Sequence, residues 1–338
     1  MTANDTSSPE HLVALIRRFA EQRVVVIGDT IADQFLYGAI SRVSREAPVF
    51  ILQHEQTETV PGGAANCALN LASLGAKVSL VSVAGDDEAG RSLLETLTAA
   101  GVDCSSLLIE HDLRTTTKVR ILAGQVHSTR QQVIRIDYDG QDLSAAKLRQ
   151  TLLDQVRSKT DAANAIVISD YNYGVADDEI ASLARVAATT QSIPVLADSR
   201  FRLTNFAGFT SATPNQDEVE HLTGKQFDDI NELVKAGEEL RGRLGHKALL
   251  VTRGSHGLML LEAGAAPLHL EAVGAHDPVD VTGAGDTVMA AYTLALASGS
   301  SFSDAAQLAN YAGGLVVMKR GTASVTSQEL EHSVLHEI

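Results

Sequence analysis

Short runs of consecutive aliphatic and β-branched residues recur along the chain, separated by segments whose apolar residues repeat at helical spacing. Residues 24–27, 78–83, 166–169 and 195–197 are such runs, and 249–252 and 258–261 follow. A run with no polar alternation suits a strand covered on both faces. Helical patterns occupy 11–22, 64–74, 88–100 (closed by Gly101), 177–189, 284–297 and 303–319. Strands that alternate with helices need crossover connections, so the spacing predicts an α/β protein. Its sheet is doubly wound and mostly parallel, with helices on both sides.

Two stretches break this rhythm. Residues 34–59 and 113–138 hold strand-like segments at 49–52, 118–122 and 132–136 with no helix between them. They are read as excursions that pair into a small antiparallel lid with one open face. No Pro- or Gly-rich linker divides the chain and no internal repeat occurs, so the 338 residues are read as one domain. Its core is 10–33, 60–112 and 139–330, its lid about 34–59 and 113–138, and residues 1–9 form a flexible tail.

Charge narrows the partners. Lysine plus arginine number 27 and aspartate plus glutamate 42, a formal net charge of −15. That balance excludes a general nucleic-acid binder. No apolar run reaches membrane-span length, and the first residues lack a secretion signal. Cys67 and Cys104 lie in apolar periodic segments, which argues against a disulfide scaffold or a cysteine zinc site. The expectation is a soluble cytoplasmic protein.

The sharpest chemical feature is Asp280-Val281-Thr282-Gly283-Ala284-Gly285-Asp286, followed at once by an apolar helix. Small residues at a helix start let backbone amides converge where the helix dipole is positive, a geometry that holds a phosphate or a developing oxyanion. Asp286, in the first helical turn, could accept a proton from a hydroxyl beside that anion, which points to phosphoryl transfer. The competing reading is a plain strand-to-helix turn with an ordinary N-terminal carboxylate. Other segments add to the first: Pro61-Gly62-Gly63-Ala64-Ala65-Asn66 opens another helix with a glycine pair. Thr252-Arg253-Gly254-Ser255-His256-Gly257 turns between two apolar strands. Asn215 and Glu218 begin a further helix, where they could face hydrated magnesium or a phosphate, or simply cap it.

In this order the segments resemble the ribokinase (phosphofructokinase-B type) family of sugar kinases, over nearly the whole chain. The resemblance implies a ribokinase-like fold and Asp286 as catalytic base, with an anion hole at Gly283, Ala284 and Gly285. It implies an ATP site at Asn215, Thr252, Gly254, Gly257 and Asn310, with Mg2+ at Glu218 through water. Sugar contacts fall on Asp29, Asp33, Gly62, Gly63 and Asn66, and a monovalent cation (K+) would sit near Asp280 and Thr282. Family members commonly pair through the lid, so a homodimer is expected.

Between Arg114 and Arg135 stand five cations (Arg114, Lys118, Arg120, Arg130, Arg135) and no acid, in a chain of net −15. A lid of that charge calls for an anionic ligand, unless its arginines simply face solvent. Lys118, Arg120 and Arg135, with Arg42 from the first excursion, are the candidates. The segments 37–49, 61–66 and 168–174 are similar to the heptose-7-phosphate kinase branch. That branch phosphorylates the anomeric hydroxyl of D-glycero-β-D-manno-heptose 7-phosphate, toward ADP-heptose and the lipopolysaccharide inner core. Two lysines usual there are replaced by Tyr173 and by Arg200 of Asp198-Ser199-Arg200. No His-x-Gly-His motif occurs in this sequence, so adenylylation is expected to belong to another protein.

Kinases of ribose, fructose or fructose phosphate are the alternative substrate classes, and a non-catalytic sugar- or nucleotide-binding module is the alternative outside catalysis. A Rossmann dehydrogenase fits poorly, since the first strand ends in Gly28-Asp29-Thr30 without a Gly-x-Gly-x-x-Gly turn, and no Walker loop occurs.

Overall fold

The computed structural model describes residues 7–124, 130–139, 143–227, 229–274 and 278–336. Strands β1 (Arg23–Gly28), β2 (Thr30–Val43), β3 (Phe50–Gly63), β4 (Lys77–Gly85), β5 (Asp103–Glu110), β6 (Thr117–Gly124) and β7 (Gln131–Tyr138) fill the first half. Strands β8 (Ala165–Asp170), β9 (Val195–Ser199), β10 (Ser211–Ala212), β11 (Ala248–Thr252), β12 (Leu258–Glu262) and β13 (Leu268–Leu270) follow. Nine of them form one sheet in the order β13-β12-β11-β10-β9-β8-β1-β4-β5. It is parallel from β5 through β11, and β12 and β13 add an antiparallel edge.

The uninterrupted apolar runs have the cause expected of them. In β1, Val24 and Val26 enter one hydrophobic core while Val25 and Ile27 enter the other. In β11, Ala248 and Leu250 are divided from Leu249 and Val251 in the same way. One core is closed by helices α1 (Pro9–Arg17), α2 (Ala64–Ser73), α8 (Ala284–Ala297), α9 (Phe302–Val316) and α10 (Ser327–His336). The other lies under α4 (Ala146–Thr160), α5 (Asp178–Gln191), α6 (Gln216–Thr223) and α7 (Ile230–Leu244). Helix α3 (Glu88–Ala99) links β4 to β5. Helix α8 is buried almost all round, and its Tyr292 hydroxyl lies 3.1 Å from Ser211 Oγ.

Local signals explain the ends of these elements better than the periodic segments did. The helix expected over 11–22 begins at Pro9, because Ser8 caps it and proline suits a first turn, and it ends at Arg17. The ordered structure therefore reaches into the expected tail, whose residues 1–6 lie outside the described ones. The helix expected to begin at Asn215 is α6, whereas α4, α7 and α10 have no counterpart among the helical patterns singled out above.

The remaining strands form a four-stranded sheet in the order β3-β2-β6-β7, the lid. It is mixed rather than antiparallel throughout. The outer pairs are antiparallel, while β2 and β6 at its centre run parallel. A parallel pair needs a long crossover, and here the chain from β3 through α2, β4, α3 and β5 supplies it. Both β2 and β3 are 14 residues long, far beyond the segment at 49–52.

Candidate active site

The candidate side chains gather where the parallel strands end. Asp29 follows β1, Tyr171 follows β8, Asp198 is the last residue but one of β9, Asn215 follows β10 and Thr252 closes β11. Open α/β sheets hold ligands at this edge, where the strand ends and the helix starts converge.

Helix α8 starts against this edge. Gly283 precedes it with φ 76°, and a Cβ built there would meet Asn66 Nδ2 at 2.6 Å, so glycine is required both by conformation and by close approach. Gly63 opens α2 in the same manner, with φ 56° and the Asp29 carbonyl 2.5 Å from where a Cβ would stand. The two glycines bring the starts of α2 and α8 together. As a result Asn66 Nδ2 donates to Asp286 Oδ2 at 2.6 Å, and both side chains are buried.

Burial, then the Asp198 carboxylate, push the Asp286 pKa up to about 8, while the Asn66 amide and Lys118 pull it back. Asp198 is raised to about 6 by burial and by Asp170, and Glu218 to about 7 by burial and by Asp198. The Tyr171 hydroxyl is held well above its usual range, chiefly by the Asp286 charge and then by burial. Asn215 and Glu218 form a reciprocal capping box on α6: Glu218 N–H donates to Asn215 Oδ1 at 2.8 Å, and Asn215 N–H donates to Glu218 Oε2 at 2.9 Å. The cap therefore uses Glu218 Oε2 and not Oε1. Among the described residues, no group of three or more His, Cys, Asp or Glu is close enough to hold a bare metal ion.

A cleft of about 700 Å³ runs from the start of α8 to the far strands. Asn215, Thr252, Gly254, Gly257 and Asn310, the expected nucleotide residues, all line it, together with Ala284 and Gly285. Its apolar walls include Val273, Pro278, Val281 and Val288, which suit an aromatic base. Asn310 Nδ2 donates to the Glu271 carbonyl at 2.7 Å, fixing the side of the cleft. At the expected anion hole, Ala284 N–H is already engaged by the Val281 carbonyl at 3.2 Å, while a Cβ at Gly285 would meet nothing within 4 Å.

Across the site from the cleft stands the lid. Asp33 is buried on β2, paired with Arg120 of β6, and a Cβ at Gly62 would meet its Oδ2 at 2.6 Å. Lys118 pairs in register with Asp33, and its Nζ lies 5.3 Å from the centre of the Tyr171 ring. Arg135 makes two hydrogen bonds to Asp137, at 2.9 and 3.0 Å. Arg130 pairs with Glu55, and Arg114 stacks 3.7 Å over the Tyr138 ring. The run of five unopposed cations is thus corrected. Acids from β2, β3 and β7 answer three of them, and Lys118 makes no ion pair with any described residue. Arg42 is exposed near the far end of β2, in no ion pair with a described residue and away from the strand ends that carry the site.

Asp29 also departs from expectation. It is 2% exposed, and its carboxylate accepts backbone N–H groups of Tyr171 (2.8 Å), Tyr173 (3.0 Å) and Val175 (3.0 Å). These bonds give Asp29 a loop-holding role. Asp280 similarly accepts from Thr282 N–H at 2.9 Å and Gly321 N–H at 3.1 Å, tying the loop before α8 to the turn after α9. Tyr171, Asp198 and Arg200 were not among the predicted site residues. Tyr171 and Arg200 stand just after buried parallel strands and Asp198 near the end of one, which is their signal in the sequence.

A family model for pfkB family carbohydrate kinases matches residues 21–329, and the chain belongs to that family. It is an ATP-dependent carbohydrate kinase. The bifunctional protein HldE of Stutzerimonas stutzeri is 42% identical over 322 residues, covering 95% of this chain and 65% of that protein. HldE of Pseudomonas aeruginosa strain UCBPP-PA14 is 42% identical over 321 residues. The chain therefore spans 65% of the length of these relatives. Phosphofructokinase-2 from Escherichia coli in complex with potassium shares the fold, with a TM-score of 0.78 at 20% identity, covering 94% of this chain and 99% of that one. Arabidopsis thaliana ribokinase complexed with ribose and ATP gives 0.70 at 22% identity, covering 94% and 98%. No helix among the described residues is long and apolar enough to cross a membrane.

Proposed function

We propose that this kinase phosphorylates the anomeric hydroxyl of D-glycero-β-D-manno-heptose 7-phosphate, giving the 1,7-bisphosphate that leads toward ADP-heptose and the lipopolysaccharide inner core. The observation that carries the reading is the position of Asp286. It is buried at a helix start, bonded to Asn66, with the nucleotide cleft on one side and the lid's Lys118 on the other. The heptose branch is supported by the residues at 37–49, 61–66 and 168–174 and by the similarity to HldE.

ATP would occupy the cleft of about 700 Å³, which Ala284 and Gly285 line at the start of α8. The sugar sits under the lid against Gly62, Gly63, Asn66 and Asp33. Asp286 takes the proton of the anomeric hydroxyl as its oxygen attacks phosphorus, and the positive end of α8 at the uncrowded Gly285 meets the charge that develops, the Ala284 amide being held by Val281. Lys118 and Arg200 hold the remote phosphate, with Arg120 and Arg135 bracing the lid through their acids. Mg2+ supplies charge neutralisation for the ATP phosphates. Glu218 fits it, through water, because Oε1 is outside the cap and Asp198 leaves the carboxylate in excess negative charge. A potassium ion near Asp280 and Thr282 would take backbone carbonyls, since the Asp280 carboxylate is spent on amides. Thr322 Oγ1, buried without a partner next to Gly283, is a spare oxygen nearby.

The lid also supports a homodimer. Val43, Val49 and Phe50 at the tip of the β2–β3 hairpin and Val133, Ile134 and Ile136 on the edge strand β7 are exposed. Aliphatic residues on an open edge invite a second copy.

The test is ADP release with Mg-ATP, comparing the heptose 7-phosphate with ribose, fructose and fructose 6-phosphate. Clear preference for the heptose phosphate is expected. Preference for another sugar overturns the substrate, and ATP binding without turnover on any of them overturns catalysis.

A further inference from the structure

Behind Asp286, Asn66, Asn70 and Thr287 form with it a hydrogen-bonded chain of four side chains that can run in only one direction. Asn70, one turn beyond Asn66 on α2 and fully buried, has Nδ2 2.9 Å from the Asn66 carbonyl and 3.1 Å from Asn66 Oδ1. A backbone carbonyl only accepts, so the Asn70 atom facing it must be the amide nitrogen. Asn70 Oδ1 is then turned to α8, where Thr287 Oγ1 donates to it at 2.7 Å. Asn66 Oδ1 accepts from Asn70, which leaves Asn66 Nδ2 for Asp286 Oδ2. Reversing either amide would set donor against donor or oxygen against oxygen in a buried space.

We infer that Thr287 and Asn70 are positioning residues, which act through Asn66 to commit Asp286 Oδ2 and leave Oδ1 as the oxygen that takes the substrate's proton. The inference rests on the proposed role of Asp286 as base. In the step it serves, the hydroxyl oxygen bonds to the γ-phosphorus and the bond from that phosphorus to the bridging oxygen of ADP breaks. The hydroxyl proton passes to Oδ1.

The groups that face Asp286 from other elements are Asp198 of β9, Asp33 of β2, Lys118 of β6, Cys67 of α2 and Tyr171 after β8. Asp198 and Asp33 disfavour a second negative charge there. The Asn66 N–H and Lys118 are the groups that favour the carboxylate, so turning the Asn66 amide round makes Asp286 harder to ionise. Asn70→Asp should do this, because a carboxylate beside the Asn66 oxygens would draw the Asn66 NH2 toward itself. Thr287→Val removes the donor that ends the chain, and Thr287→Ser keeps it.

The experiment measures single-turnover rates of the full chain from about pH 5.5 to about pH 9.5, with Mg-ATP and heptose 7-phosphate. Asn70→Asp is expected to move the acid limb upward by on the order of one pH unit, with the rate recovering at high pH and the KM for ATP unchanged. Thr287→Val should move it the same way by less, and Thr287→Ser should restore the original profile. Asn70→Asp failing to fold leaves the Thr287 pair to decide. A uniform loss at every pH, or a Thr287→Val profile that overlays the wild type, overturns the inference. Full activity in Asp286→Asn would instead remove Asp286 as the base, a separate failure.

Discussion

Asp29→Ala distinguishes a sugar ligand from a structural carboxylate. Three backbone amides at 2.8, 3.0 and 3.0 Å end on this one side chain, which is 2% exposed. A buried amide left without an acceptor costs about 1–3 kcal/mol. Three of them, eased by some entry of water, put the loss for alanine at about 3–5 kcal/mol. That is a large part of an ordinary folding free energy of about 5–15 kcal/mol. Asparagine keeps the shape but has one oxygen. If that oxygen serves Tyr171 and Tyr173, the NH2 meets the Val175 N–H, so about 1–3 kcal/mol is lost. Guanidinium denaturation of the ligand-free protein, followed by circular dichroism, should give midpoints in the order wild type, asparagine, alanine. The loop these amides belong to carries Tyr171 beside Asp286, so turnover should fall as well. An alanine variant that unfolds at the wild-type midpoint while its KM for sugar rises would refute the reasoning and return Asp29 to the substrate.

Asp286→Asn should reduce turnover by about 10²-fold or more and leave ATP affinity, read by calorimetry, within a factor of about two. Burial and mutual repulsion raise Asp198, Glu218 and Asp286 to about 6, 7 and 8, from 3.8, 4.5 and 3.8. A carboxyl group with a raised folded-state pKa stabilises the fold fully below its unfolded value, and this is lost as pH rises through the folded value. The ligand-free chain should therefore unfold more easily as pH goes from about 4 to 8, with Mg-ATP reversing part of the loss; a contribution from this site that grows with pH would contradict the assignment, and Asp286→Asn isolates it. Lys118→Ala should raise the KM for the sugar phosphate about 10-fold or more, whereas Arg135→Ala, whose guanidinium is held by Asp137, should change it less than about 3-fold. Equal effects would mean that the clamp is not centred on Lys118.

The layered core was legible because burial on both faces leaves its mark in consecutive residues: Val24 to Ile27 cannot be apolar throughout unless two cores flank the strand. The start of α8 was legible because only glycine serves at Gly283, and the acid that follows stays adjacent in the fold. Helices α4 and α7 were harder, since each shows solvent a mainly charged and polar face, with buried residues such as Leu152, Val156, Leu233 and Leu240 spaced along the other. The parallel centre of the lid was not legible at all. Alternation in a half-exposed strand is the same for either direction, and only the route of the chain through α2 to β5 decides it.

Charge counted along the sequence failed for a related reason. The window from Arg114 to Arg135 contains no acid, but strand pairing brings Asp33 to Arg120, Glu55 of β3 reaches Arg130 just before β7, and Asp137 lies just past the window beside Arg135. Pairing spends these arginines on the lid itself. Lys118 is left differently placed: burial lowers its pKa, and the neighbouring Arg200 lowers it further while Asp33 resists. Two cations that repel one another across a site bounded by carboxylates are stabilised by an anion that reaches both. A phosphate at the far end of a sugar meets that requirement, and a neutral sugar does not. The case for an anionic substrate therefore rests on Lys118 and Arg200 rather than on the sum of five, and the Lys118→Ala measurement bears on it directly.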